Sequence, residues 1–249
     1  MASLFVFAHQ DDDYGVFHCI AEDARKGPVH CIYLTDGGAA RERRNRESLA
    51  VLGRLGVPPG HVHFLGQDNK LEDGKLYLQL ELAVHVLSAF LKQHDDVSRI
   101  YVPAWEGGHI DHDASHAAVL LAVRNTGLAA PVLQFSLYNS WRCPRPLYRV
   151  MQPVAGVPVQ KIHIPFVSGC RYVTLPWHYP SQWKIWLGLY PFILYAYLVR
   201  RTILLQQAGF EHILQRPHDG PLYYERKPEN SYATFHECIG EALAALGMA

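Results

Sequence analysis

The segment LFVFAHQDDD, residues 4–13, decides the fold of this chain. Residues 4–8 are a short, uncharged apolar run, which is typical of a strand buried on both faces. Acidic residues follow at once, and residues 13–26 have the spacing of a helix. A buried strand that ends in a polar turn and passes into a helix is the first half of a βαβ unit.

The same alternation continues through the first 140 residues. Strands are predicted at residues 29–34, 62–65, 99–102 and 132–137, with helices between them at residues 41–55, 76–91 and 113–124. Strands separated by helices of this length imply parallel crossovers. The sequence therefore predicts an α/β, Rossmann-like three-layer fold with a mostly parallel sheet.

The pattern changes after Ser140. Prolines and aromatic residues crowd residues 141–180, where we expect irregular structure with a hairpin around residues 150–164. An aromatic helix, a short strand near residues 221–225 and a last helix at residues 232–246 follow. We expect one domain over residues 1–249, with a core at 1–140 and an aromatic-rich helical elaboration at 141–249.

Composition excludes several classes of protein. The chain has 249 residues, 49% of them hydrophobic and 18% charged, with a formal net charge of +0, so there is no basic excess for nucleic acid. The five cysteines are odd in number and widely spaced, which favours reduced thiols. No basic residue precedes the first apolar run, which argues against a signal peptide and for a cytoplasmic location.

The uncharged segment at residues 185–199 is the main feature outside the core. It is shorter than the ~20 residues of a spanning helix, and Pro191 interrupts it. The plainer interpretation is a buried helix or a contact in a homo-oligomer. The sharper one is that residues 183–205, with Lys184, Arg200 and Arg201, contact a membrane surface or a lipid-linked substrate, at the inner face of the membrane.

Two polar motifs follow predicted strands: AHQDDD at residues 8–13 and GGHIDH at residues 107–112. In an open parallel sheet both lie at carboxyl ends of strands, where ligands bind if the strand order reverses there. Two histidines and a carboxylate with one open position form a common catalytic zinc set, which His9, Asp12 and His112 could supply. The alternative is that the acidic run only caps a helix.

Neighbouring side chains could complete a hydrolytic site. Asp11 could take a proton from a water that the metal acidifies. His109 could donate to the oxyanion of a tetrahedral intermediate, and Asp111 could hold a histidine ring in one tautomer. His116, four residues after His112, is an alternative ligand if the helix begins early.

At these residues the chain resembles the PIG-L/LmbE-like family of zinc-dependent N-deacetylases. The family's AHPDDE motif is matched in four of six positions by residues 8–13, and its HPDH motif in three of four by residues 109–112. The family's LTDG is present at residues 34–37, and Arg44, Glu47, Leu55-Gly56 and Phe64-Leu65-Gly66 with Asp68 resemble later signatures. Residues 179–182 resemble an element that ends in Ser-Gln. The similarity is good over residues 4–137 and loose afterwards.

The resemblance implies a Rossmann-like deacetylase of N-acetylglucosamine derivatives, some of them lipid-linked. It implies the zinc ligands His9, Asp12 and His112, the general base Asp11, the oxyanion donor His109 and the orienting residue Asp111. Arg44 and Asp68 resemble positions that hold sugar hydroxyls or phosphate. Three positions depart from the family: Gln10 and Ile110 replace prolines, and Asp13 replaces a glutamate.

Two aromatic residues are further candidates for the sugar pocket. Trp105, just before the second motif, could stack on a sugar face or belong to the core, and His178 could line the pocket or join an aromatic cluster. Two other functions stay open. The chain could hydrolyse another amide conjugate, or be a non-catalytic carbohydrate- or nucleotide-binding module, although GxGxxG is absent after the first strand.

Overall fold

A computed structural model of the chain describes residues 1–144 and 147–248. Its main element is a seven-stranded sheet in the order β3-β2-β1-β4-β5-β9-β8. The strands are β1 (Ala2–Phe7), β2 (Val29–Tyr33), β3 (Val62–His63), β4 (Val97–Pro103), β5 (Val132–Phe135), β8 (Val159–His163) and β9 (Thr202–Gln207). Two short strands, β6 (Tyr138–Asn139) and β7 (Arg149–Val150), pair separately.

Helices cover both faces of the sheet. They are α1 (Phe17–Ala24), α2 (Arg41–Arg54), α3 (Leu65–Asp68), α4 (Leu80–Gln93), α5 (Ile110–Thr126), α6 (Phe166–Tyr172), α7 (Trp183–Leu194), α8 (Phe210–Ile213) and α9 (Tyr232–Ala245). The central strand shows why two layers form. Leu4 and Val6 pack into one apolar cluster, and Phe5 and Phe7 pack into the other, because successive side chains of a strand point to opposite faces.

The order of the strands reverses between β1 and β4. From β1 the chain runs outward through β2 to β3, and it then returns to pair β4 with the other side of β1. These strands and β5 are parallel, while β9 and β8 extend the same sheet in antiparallel pairing. The predicted α/β fold with a mostly parallel sheet is confirmed.

The expectations for the second half needed correction. The hairpin predicted at residues 150–164 is wrong, because β7 pairs with β6 while β8 pairs with β9, which the sequence pattern had not revealed. Within the described ranges, residues 221–225 form no strand, and Tyr224–Arg226 is a turn of 3-10 helix. Both errors concern pairings set by distant residues rather than by local alternation.

The aromatic segment does not break at its proline. Pro191 lies inside α7, and Tyr195–Arg200 continues as π-helix before β9. In the part of the chain that the structure describes, no helix is both long and apolar enough to cross a membrane. Trp183 and Leu187 on α7 are exposed at 56% and 73%, whereas Trp186 is buried and donates its indole N–H to the carbonyl of Tyr179.

Candidate metal centre

The structure brings the two polar motifs together at the carboxyl ends of β1 and β4. The ring of His9 lies 4.6 Å from that of His109 and 5.3 Å from that of His112, measured between centroids. The first motif turns through a 3-10 helix, Asp12–Gly15, while the second opens α5. This is the point at which the strand order reverses, where an open sheet leaves a crevice.

Asp12 lies between two imidazole rings. Its Oδ2 is 3.5 Å from Nδ1 of His9, and its Oδ1 is 3.1 Å from Nε2 of His112. Burial alone would raise the pKa of Asp12, but His112 and His9 outweigh it and hold that pKa well below its usual value. An ionised carboxylate between two histidine nitrogens is a donor set that suits zinc and related divalent ions.

The nitrogens of His9, His109 and His112 also come within 4.8 Å of one another, as do donor atoms of His9, Asp73 and Asp111. His9 therefore belongs to the predicted ligand set and to both of these groups. Nδ1 of His112 is buried without a hydrogen-bond partner among the described residues, which leaves that nitrogen free of a competing protein contact. The residues present fit a divalent metal ion.

Asp111 fixes the orientation of His9. Its Oδ2 lies 3.1 Å from Nε2 of His9, on the ring edge opposite Asp12, and accepts from the backbone N–H of Gly74 at 2.6 Å. Its Oδ1 accepts from the backbone N–H of Leu76 at 3.1 Å. A carboxylate on the outer nitrogen of a ligating histidine sets its tautomer and strengthens it as a donor.

His109 caps the N-terminus of α5. Its Nδ1 accepts from the backbone N–H of Asp111 at 3.2 Å, so the hydrogen of a neutral ring belongs on Nε2. Burial of the ring lowers the pKa of His109, and the nearby His9 lowers it further. The ring of His109 is therefore kept neutral. The arrangement leaves an N–H that can donate to a ligand in the pocket.

Arg44 joins two carboxylates at the pocket wall. Its Nη2 donates to Oδ1 of Asp11 at 3.2 Å, and its Nη1 donates to Oδ2 of Asp73 at 2.9 Å. Burial raises the pKa of Asp11, and the Arg44 guanidinium offsets only part of this effect. A carboxylate with a raised pKa beside a metal centre is suited to accept a proton. Asp73 was not predicted, because it lies in a loop without apolar periodicity.

Each of the three departures from the family pattern has a local replacement. Gln10 donates from Nε2 to Oδ1 of Asn45 at 3.0 Å, which secures the loop that a proline would stiffen. Ile110 is the first residue of α5, a position that either residue type can occupy, and its side chain is buried. The shorter arm of Asp13 is met by the hydroxyl of Tyr179, which donates to Oδ2.

The metal pocket has a volume of about 140 Å³ and is walled by both halves of the chain. Tyr138, Gln182, Ile185 and Leu189 come from the region after the fifth strand. A second cavity of about 210 Å³ shares three of these residues and adds Tyr148 and Tyr223. We refer to it as the outer aromatic cavity. Side chains far apart in sequence therefore form one continuous cleft.

Three of the four predicted sugar contacts lie outside this pocket. Trp105 is 3% exposed, packs on Phe235 and donates its indole N–H to the carbonyl of Gln215, which agrees with the core alternative and not with stacking on a sugar. Asp68 is exposed at the end of α3, and neither it nor His178 lines the pocket. Arg44 does line the pocket, and the carboxylate that lines it near Arg44 belongs to Asp73 and not to Asp68.

His116 is not aimed at the metal centre. It is fully buried in α5, and its Nδ1 lies 2.9 Å from the carbonyl oxygen of Pro103. Tyr14 and Tyr138, by contrast, line the metal pocket although the sequence reasoning passed over them. The position of Tyr14 directly after the acidic run was the one signal that could have identified it.

A comparison with known protein families finds a match to the first half of the chain. Residues 4–123 match the family model described as PIG-L, GlcNAc-PI de-N-acetylase. No curated protein matches the chain in sequence. The matched segment contains both polar motifs, and it ends within α5.

Solved structures share the fold at low identity. The zinc-inhibited form of teicoplanin deacetylase superposes with a TM-score of 0.61 at 15% identity, covering 84% of this chain and 99% of that one. The N,N'-diacetylchitobiose deacetylase of Pyrococcus horikoshii gives 0.62 at 16%, covering 88% and 86%. The 4-carboxy-2-hydroxymuconate hydratase of Pseudomonas putida gives 0.51 at 15%, covering 77% and 83%. Proteins with this fold therefore catalyse more than one reaction, so the function has to be argued from the residues of the site.

Proposed function

Because residues 4–123 of this chain match the PIG-L family model, we propose that the protein is a zinc-dependent hydrolase of the acetamide group of an N-acetylated sugar. It would release acetate and a free amino sugar from an N-acetylglucosamine-type glycan or glycoconjugate. The observation that carries the proposal is the position of Asp12 between His9 and His112, with the Asp11 carboxyl beside it.

The proposed ligands are His9, Asp12 and His112. When bound, a zinc ion would acidify a water molecule and polarise the acetamide carbonyl. His9 is already oriented by Asp111, so its ring needs no rearrangement to present Nδ1 to the pocket. The donor set leaves room for water and substrate, as catalytic zinc sites require.

Asp11 would accept the proton from the attacking water and return it to the leaving nitrogen. Its raised pKa favours this exchange near neutral pH, and Arg44 holds the carboxyl group in place. His109 would donate from Nε2 to the carbonyl oxygen as negative charge develops on it. Neither step requires a side chain outside the pocket.

Arg44 and Asp73 would bind hydroxyl groups of the sugar ring. Both line the pocket, and their mutual ion pair fixes their geometry before substrate arrives. The small polar pocket suits one acetamido sugar, and the outer aromatic cavity leaves space for a larger group attached to it. These features support a glycoconjugate rather than a free monosaccharide as substrate.

The decisive experiment combines metal analysis with acetate release. Untagged protein purified without chelator should contain one zinc per chain at this site, and it should release acetate from at least one member of a panel of N-acetylglucosamine glycosides. A metal-loaded protein that binds these glycosides but releases no acetate would favour the non-catalytic module. Release of another acid from a different amide panel would favour the alternative amide hydrolase.

We further propose that an amphiphilic or lipid-linked substrate reaches the pocket along α7. Ile185 lines both cavities and is 43% exposed, and the exposed Trp183 and Leu187 extend the apolar surface outward. Lys184 carries a positive charge beside Trp183, and Arg200 and Arg201 follow at the C-terminal end of the helical segment. Apolar side chains flanked by cations suit the inner face of an anionic membrane.

Vesicle sedimentation tests this second proposal. The wild-type protein should bind vesicles that contain phosphatidylserine more strongly than vesicles of phosphatidylcholine alone. The double substitution Trp183→Gln, Leu187→Gln should abolish binding, whereas Leu82→Gln on α4, in the other helical layer, should not. Equal behaviour of all three proteins would refute the proposal, and a dimer in light scattering that the double substitution dissociates would assign the surface to a homo-oligomer.

A further inference from the structure

Tyr14 places a buried aromatic side chain at the wall of the metal pocket. It belongs to the 3-10 turn that follows Asp11, its side chain is 2% exposed, and it lines the pocket. Among the residues that the structure describes, its hydroxyl has no hydrogen-bond partner. A buried hydroxyl without a partner destabilises the folded state, because it gives up its bonds to water and gains none.

Tyr14 is held at its ring by one aromatic contact and at its backbone by two hydrogen bonds. Trp186 packs edge-on against it with 5.8 Å between the ring centroids, and the backbone carbonyl of Tyr14 accepts from the hydroxyl of Tyr197 at 2.7 Å. The backbone N–H of Tyr14 also lies 3.4 Å from the carbonyl oxygen of Asp11. The side chain therefore has little freedom to search for a partner elsewhere.

The polar groups around this hydroxyl are already engaged. The charged and phenolic groups that most affect Tyr14 are Tyr138, Asp12, Glu106 and Asp11, and burial together with these groups raises the pKa of Tyr14. The carboxylate of Glu106 accepts from two backbone N–H groups and from Asn139. The carboxylate of Asp12 faces His9 and His112. A tyrosine hydroxyl carries a hydrogen that it can donate, so an acceptor would satisfy it.

Other buried hydroxyls without partners lie away from the site. Tyr224 shares the property, but it does not line the metal pocket. Tyr14 differs because the missing acceptor can arrive with a ligand. In an acetamide, the strongest acceptor is the carbonyl oxygen, which becomes an oxyanion when water adds to the carbonyl carbon.

We propose that the Tyr14 hydroxyl donates a hydrogen bond to the acetamide oxygen of the substrate and is a second oxyanion donor beside His109. The inference rests on the proposed deacetylase function and assigns a further catalytic residue to it. The hydroxyl stays unbonded in the free protein and gains its partner only when substrate is bound. Its contribution should therefore be greatest in the transition state.

The isosteric change Tyr14→Phe tests this role, with Tyr224→Phe as the matched control. Tyr14→Phe should lower kcat by about 10- to 100-fold with little change in KM, since one oxyanion donor is lost. Its metal content should be unchanged. Its Tm should rise by about 2–4 °C, because an unpaired buried hydroxyl is removed. Tyr224→Phe should raise Tm similarly and leave kcat unchanged.

The opposite signs of the two effects separate a catalytic hydroxyl from a structural one. An unchanged kcat for Tyr14→Phe would overturn the proposal, and so would a fall in kcat accompanied by a fall in Tm. If the metal-loaded wild-type protein releases no acetate from any glycoside, the proposed function fails instead. Acetate is then titrated as the probe, and equal affinity in the wild-type and Tyr14→Phe proteins would overturn the hydrogen bond.

Discussion

The carboxylate of Asp111 lies 3.1 Å from Nε2 of His9, and this contact joins the two halves of the metal centre. The two residues come from the ends of β4 and β1, and the same carboxylate accepts two backbone N–H groups from the loop after Asp73. Burial would raise the pKa of Asp111, but the hydrogen bond with His9, together with the nearby His109 and the backbone N–H of Gly74, outweighs burial and lowers that pKa. His9 is thus held by a charged acceptor from behind.

Asp111→Asn should weaken metal binding by about 10- to 100-fold. The amide oxygen can still face His9 and accept from Gly74, but the amide N–H groups then meet the backbone N–H of Leu76, which donates to Oδ1 in the wild-type protein. Competition with a chromogenic chelator measures the affinity. Asp95→Asn, in a loop at the other end of the sheet, is the control. Equal affinities for the two variants would show that Asp111 does not support His9.

Asp11→Asn should lower kcat by about 10²- to 10⁴-fold and retain the metal, because the substitution removes a proton acceptor and no proposed ligand. Its amide oxygen can still accept from Arg44, so the pocket wall should be preserved. Acetate release and metal content are measured on the same sample. Activity within a few-fold of wild type would transfer the role of general base to another group.

Tyr179→Phe should destabilise the fold by about 1–3 kcal/mol, since it deprives Asp13 of the hydroxyl that donates to it. Asp13 is fully buried, and burial raises its pKa well above the ordinary value. Urea denaturation measures the change. The sign is opposite to that expected for Tyr14→Phe, so a gain in stability here would show that the Asp13 contact contributes nothing.

A cluster of half-buried histidines on β2 and β3 should make stability depend on pH. Nδ1 of His30 lies 3.1 Å from Nε2 of His63, and the rings of His61 and His94 pack against His30. Partial burial and the neighbouring histidines lower the pKa of His30 to about 4, and that of His63 is lowered for the same reasons.

Because these folded-state pKa values lie below the unfolded value of about 6.5, the unfolded chain binds more protons between pH 6.5 and 4. Stability from this cluster is complete above pH 6.5 and is lost as the pH falls toward 4. His30→Gln should therefore reduce the decline in Tm over that interval relative to wild type. An identical decline in both proteins would remove His30 as its source.

The sequence predicted the site in outline because its determinants are local. Apolar runs followed by polar turns placed His9 and His112 at strand ends, and the rules of parallel sheets then brought them together. Asp73 and Tyr14 were not predicted from the sequence. Asp73 reaches the pocket through an ion pair with Arg44 and through the loop bonded to Asp111, which no periodicity encodes.

The C-terminal half was predicted less well because its order depends on pairing between distant residues. β9 follows an aromatic helix directly and looks like its continuation, yet its partners are β5 and β8. The sequence left Trp105 open between core and pocket, because a tryptophan beside a motif has the same local sequence in either place. Only its contacts with Phe235 and Gln215 distinguish the two.

The cleft takes its reactive groups from residues 8–13 and 107–112 and its outer wall from Tyr138 and α7. Under the proposed function, the residues that carry out the reaction and those that select the substrate therefore lie in separate stretches of the chain. Mutations of outer-wall residues such as Ile185 can change which molecules are admitted, whereas Tyr179 and Trp186 in the same stretch also support Asp13 and Tyr14. A lineage that keeps residues 8–13 and 107–112 and varies the later stretch can acquire new substrates in small, viable steps. A laboratory library confined to residues 138–194 would use the same freedom.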